Sequence, residues 1–195
     1  MSTRNQGAYV TSVLLCVLWL ILFYAAPTVT HLNGWHTDFI LTPDSSYFAL
    51  LTTHFFHADG RHLLTNIAVC LGLMFFLKDL ISNLRFAALW LSCGPIATTA
   101  SFIMEPGALV GASGGLMGVL GGALALVPMA HQSSQFRLLI GILVVGSTVA
   151  LPGDAVAHVS GLLVGYGFTK SKVDPKLVCG IVSLVSVLGF VLLRT

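Results

Sequence analysis

The chain alternates long apolar runs with short polar breaks. Seven runs can be drawn: Tyr9 to Ala26, Leu63 to Leu80, Phe86 to Met104, Ser113 to Met129, Phe136 to Leu151, Ala155 to Phe168 and Leu177 to Leu193. Each is close to the roughly 20 residues that cross a bilayer as a helix, or somewhat shorter. Helices are the expected form, because lipid offers no partner for an unpaired N–H or C=O and a helix satisfies both internally. The breaks Glu105 to Val110 and Pro152 to Asp154 are short, which leaves no room for a separate soluble domain. The chain therefore reads as one membrane domain over residues 1–195.

One connection is long. Between Pro27 and Arg61 the chain carries Leu32, Trp35, Phe39, Ile40, Leu41, Tyr47, Phe48, Leu50, Leu51, Phe55 and Phe56. An apolar loop of this length is expected to pack or to lie in the lipid interface, where Trp and Tyr are favoured.

Composition sharpens the class. The chain is 56% hydrophobic and 8% charged, with mean hydropathy +0.93, against about 25% charged residues in soluble domains. That excludes a soluble domain and predicts an all-α polytopic membrane protein. A net charge of +2, scattered along the chain, excludes nucleic acid as a partner. Cys16, Cys70, Cys93 and Cys179 all fall in apolar runs, where they read as small buried hydrophobes.

The basic residues bear on orientation. With a cytoplasmic N-terminus and seven crossings, Arg4, Lys78, Arg85, Arg137, Lys170, Lys172 and Lys176 lie inside and only Arg61 and Arg194 outside, as the positive-inside rule requires. The first run, with Arg4 before it and Ala25-Ala26 after it, also has the form of a signal peptide; the charge pattern favours a retained helix. With no organelle-targeting segment visible, a prokaryotic plasma membrane is the expected home.

Candidate chemistry gathers at the outer ends of the runs. Ser113 opens the fourth run in Gly111-Ala112-Ser113-Gly114-Gly115, and His158 lies near the start of the sixth. His62 and Asn66 are one helical turn apart at the start of the second. These polar residues share one depth in a medium where an unpartnered polar group is costly. Their types suit acyl transfer: a Ser nucleophile, an imidazole to take its proton, and donors for the oxyanion from His62, Asn66 and the Ser113 N–H. Gly111, Gly114, Gly118, Gly161 and Gly165 are small residues at helical spacing, which allow the close helix approach that a Ser–His contact needs. No cofactor or metal is required.

Other readings of the same residues exist. His54, His57, Asp59 and His62 form a second cluster that a zinc ion could use, although their spacing matches no standard short metal motif. Asp154, four residues before His158 and just after Pro152-Gly153, reads as a helix N-cap and not as the acid of a triad. A small transporter built on the histidines would usually show a repeat or paired broken helices, neither of which is visible.

The motifs together resemble the rhomboid family of intramembrane serine proteases. Gly111-Ala112-Ser113-Gly114 is similar to its GxSG nucleophile motif, and His62 to Asn66 to its HxxxN oxyanion pair. His57 stands where many members have a further histidine, and Ala157-His158 with Gly161 and Gly165 follows the AHxxGxxxG of the base-bearing helix. The likeness runs from about Ser46 to Lys170.

It implies a six-helix rhomboid core over about residues 9–170, with an additional seventh helix at about 177–193. It also implies cleavage in or next to substrate transmembrane segments by a Ser113–His158 dyad, in a water-filled cavity open to the outer face. Gating by the membrane-embedded loop and a neighbouring helix belongs to the same implication. The partners would be transmembrane protein substrates and the lipid bilayer. Within the family, trimming of C-terminal sorting helices by the rhombosortase branch, and client binding without cleavage, are alternatives. Two departures stand out: Met117 replaces an aromatic residue that often stacks on the base histidine, and the long loop lacks a clear Trp-Arg pair.

Overall fold

The structure, a computed structural model, describes residues 7–25, 39–46, 48–126, 134–149 and 152–171, with single positions at 174, 177, 180 and 184. The described elements are helical: α1 (Gly7–Ala25), a single turn α2 (Ala49–Thr52) continued by a 3-10 turn (Thr53–Phe55), α3 (Gly60–Leu77), α4 (Asn83–Met104), α5 (Ser113–Leu126), α6 (Ser134–Val149) and α7 (Pro152–Lys170). The six longer helices fall on the first six apolar runs. The seventh run lies almost wholly outside the described residues, as do Leu32, Trp35 and Tyr47 of the long connection.

Length and composition alone qualify α3 and α4 as membrane spans, while Tyr9–Ala25 and Ser113–Leu126 are shorter apolar helices.

α5 is the centre of the bundle, with Gly114 to Ala123 all buried, packed on α4 and α7. Glycine makes that approach possible. A Cβ on Gly161 of α7 would run into the carbonyl of Gly114, and one on Gly165 into the carbonyl of Gly118. The two backbones touch directly, so α7 is held in register against the first turns of α5 by shape.

α3 and α4 have side-chain caps. Asp59 Oδ1 accepts from the His62 N–H at 2.9 Å, and Ser82 Oγ accepts from the Arg85 N–H at 3.3 Å, each satisfying a donor the first turn leaves over. α7 differs from expectation. It begins at Pro152, so Asp154 stands in the first turn and not at the N-cap. Proline at a helix start has its fixed φ already suited to the helix and no N–H to leave unpaired.

The described part of the long connection packs, as its composition predicts. Leu41, Ala49 and Leu50 are buried together against Phe102 and Leu109. Leu41 and Leu109 form an antiparallel bridge, with the Leu109 N–H donating to the Leu41 carbonyl at 2.8 Å. The loop therefore lies along the segment that leads into α5.

Candidate active site

Residues 105–112 carry the chain from α4 into α5, and each anchor along them fixes where α5 starts. After the Leu41–Leu109 bridge, the Gly111 N–H donates to the Thr53 carbonyl at 3.1 Å, and the Thr53 hydroxyl donates to the Leu109 carbonyl. Gly111 then turns the chain with φ +128°, a region that side-chain-bearing residues rarely adopt. The next carbonyl, that of Ala112, accepts the Leu116 N–H at 3.1 Å and the Trp90 indole N–H at 3.3 Å. Ala112 is thus the N-cap residue and Ser113 the first residue of the helix. Its N–H is among those with no carbonyl partner within the helix, at the positive end of the dipole.

His62 covers this turn. Its Cε1 and Nε2 lie 2.5 and 2.6 Å from the position a Cβ on Gly111 would take, so the imidazole rests on the α-carbon two residues before Ser113. His62 is the third residue of α3, and the Asp59 cap sets the start of that helix. One turn on, Asn66 is 3% exposed, and its Nδ2 donor has no hydrogen-bond partner among the described residues.

His158 reaches the same end of the bundle on α7. A Cβ on Gly114 would stand 3.8 Å from the carbonyl of Ala157, and Gly161 abuts the Gly114 carbonyl. Ser113 and His158 are the immediate neighbours of two residues in contact, on facing turns of α5 and α7. Both are half-buried. The structure thus brings His62 onto Gly111, and Ala157 and Gly161 against Gly114, at the N-terminus of α5, with Gly165 one turn deeper against Gly118; Asn66 lies one turn beyond His62 on α3.

A model of the Rhomboid domain matches residues 44–173 of the chain, two-thirds of its length. The chain belongs to the rhomboid family. It is accordingly a polytopic integral membrane protein of a family that generally cleaves transmembrane substrates within the bilayer. Among individually curated proteins none matches it.

The other residues of interest fall into place around the rhomboid site. His57, 4% exposed, meets His62 edge to face at 5.3 Å and Trp19 of α1 at 5.5 Å. Trp19 in turn lies 5.8 Å from Trp90, the residue that holds the Ala112 carbonyl. Burial pushes the His57 imidazole down to about 3, and the nearby charge of His62 acts in the same direction. His57 is therefore a neutral ring that supports His62 from behind.

The four residues of the alternative zinc cluster do not act together. His54 lies on Gly94 of α4 and Asp59 caps α3; among the described residues no three His, Cys, Asp or Glu side chains gather in metal-binding range. The Asp59 carboxyl is instead held below its usual range, chiefly by the His62 N–H it accepts. Met117 is buried in the main core.

Sequence reasoning did not reveal the anchors of the turn, Thr53, Trp90 and Leu41. They carry no motif. Their partners are backbone groups far away in the chain, and a Trp or Thr in an apolar stretch gives no local sign of such a bond.

Proposed function

We propose that this rhomboid is an intramembrane serine endopeptidase. Ser113 is the nucleophile and His158 the general base. His62, Asn66 and the Ser113 N–H are the oxyanion donors. The observation that supports this reading is the seating of His62 on Gly111, which puts an imidazole against the turn that leads into the helix at Ser113.

Ser113 Oγ attacks the scissile carbonyl while His158 takes the hydroxyl proton. The tetrahedral oxyanion is met by the donors, each contributing roughly 3 kcal/mol to lowering the barrier. As the C–N bond breaks, His158 returns the proton to the leaving amine, and water admitted from the outer face then hydrolyses the acyl-enzyme with His158 again as base. No third acidic residue takes part. Asp154 stands in the first turn of α7.

The remaining parts of the reading are a single domain with a six-helix core at about 9–170 and a seventh helix at 177–193. The N-terminus is cytoplasmic, the active site faces the outside, and the membrane is a prokaryotic plasma membrane. The basic residues on the inner connections support that orientation.

The test is cleavage of a model transmembrane substrate by purified protein in liposomes. Wild type cuts, Ser113→Ala and His158→Ala do not, and a chelator has no effect. Cleavage by Ser113→Ala would refute the mechanism.

A further inference from the structure

The turn into Ser113 is gripped on a second side by a residue outside the proposed machinery. His54 follows Thr53, whose carbonyl and hydroxyl already hold Gly111 and Leu109. It is 4% exposed. Its ring lies on the one position of α4 that has no side chain: Nδ1, Cγ and Cε1 stand 3.1 to 3.2 Å from where a Cβ on Gly94 would be. Its ring nitrogens stand near the carbonyls of Gly111 and Leu50 without closing to full hydrogen-bond geometry, and the neutral ring has one N–H to offer to either.

The peptide group between Gly111 and Ala112 therefore has His62 over its α-carbon and His54 beside its carbonyl. The following peptide, between Ala112 and Ser113, is held by Trp90. Since a peptide is planar, with C=O and N–H on opposite sides, the Trp90 bond to the Ala112 carbonyl sets the direction of the Ser113 N–H, and the packed His54 ring limits how far the preceding peptide can rotate.

We infer that His54 is a positioning residue for the proposed acyl-transfer site, wedged between Gly94 and Gly111 so that the backbone donors ahead of Ser113 face the oxyanion. This rests on the protease reading. His54 moves no proton in the reaction; burial lowers it to about 4, so the ring stays neutral at the pH of catalysis. What the site needs from it is shape and an N–H.

The experiment measures kcat and KM for a model transmembrane substrate, the rate of Ser113 labelling by a fluorophosphonate probe, and the Tm in detergent. The variants are His54→Leu, His54→Asn, His54→Ala, Gly94→Ala and the pair Gly94→Ala with His54→Ala. His54→Leu lowers kcat and the labelling rate roughly 10²-fold, the scale of a small misplacement at a reacting centre, with KM changed less than about twofold. His54→Asn, which keeps an N–H, recovers part of the loss. The pH profile keeps its shape because His158 remains the base.

Gly94→Ala presses on the ring and lowers kcat alone, yet adds nothing in the His54→Ala background, where the space is open. That cycle decides the matter if His54→Leu does not fold. Wild-type kcat in His54→Leu, or additive losses in the cycle, overturns the inference. Cleavage that depends on Ser113 but ignores His54→Leu refutes this inference alone, whereas cleavage or labelling that persists in Ser113→Ala refutes the protease reading beneath it.

Discussion

The imidazole of His62 occupies the space a side chain on Gly111 would need, with Cε1 and Nε2 2.5 and 2.6 Å from that point. Gly111 is also the described glycine with positive φ, +128°. Two independent constraints thus require glycine two residues before Ser113.

Gly111→Ala should accordingly damage the site more than the fold. The strained backbone costs about 1–3 kcal/mol, and the methyl group displaces His62. We expect kcat for a transmembrane substrate to fall at least ~10²-fold, with a modest drop in Tm. Near wild-type kcat would show that His62 need not sit there.

Asn66 should show the signature of a group felt only in the transition state. Its Nδ2 is buried without a partner among the described residues, so truncation breaks no hydrogen bond seen there for that donor. Asn66→Ala should lower kcat by about 10²- to 10³-fold and leave KM nearly unchanged, and His62→Ala should do the same. A rise in KM with unchanged kcat would place these residues in substrate binding instead.

The glycines divide into two kinds, and substitution should separate them. Gly161→Ala drives a methyl into the carbonyl of Gly114, whereas a Cβ on Gly141 meets nothing within 4 Å. Gly161→Ala is expected to lower stability by roughly 1–3 kcal/mol and to abolish cleavage, because α7 carries His158. Gly141→Ala should be silent or stabilising by up to about 1 kcal/mol through helix propensity. Steric-trap or denaturant unfolding in detergent distinguishes them.

Acid should destabilise the protein through its loop histidines. Burial lowers His54 to about 4 and His57 to about 3, from an ordinary 6.5. The unfolded chain binds these protons first, so the stability they contribute is present above about pH 6.5 and is lost as pH falls toward 4 and 3. The slope is roughly 1.4 kcal/mol per pH unit for each histidine. A His57→Gln variant should show a shallower loss of Tm between pH 6 and about 4; an unchanged slope would mean that His57 is not buried neutral.

Much of this arrangement could be read from residue order alone, for definable reasons. Six helices were legible because lipid forces apolar runs into helices, and the contact of α5 with α7 was foreshadowed by Gly114, Gly118, Gly161 and Gly165 at helical spacing. The candidate polar residues stood out because polar groups are conspicuous in an apolar chain, and the seating of His62 on Gly111 agrees with one part of that reading. The bridge of Leu41 to Leu109 and the bonds from Thr53 and Trp90 to backbone carbonyls were not, since they join distant segments through groups every residue possesses. Asp59 was misleading for a related reason: beside three histidines it suggested a metal ligand, while its position before Gly60 makes it a cap.

The central claim is that Ser113 is a nucleophile activated by His158. Mass spectrometry of the purified protein after treatment with a fluorophosphonate tests it directly. We predict one adduct, on the peptide containing Ser113, formed in wild type and lost in His158→Ala. An adduct elsewhere, or labelling of Ser113 at the same rate without His158, would contradict the account.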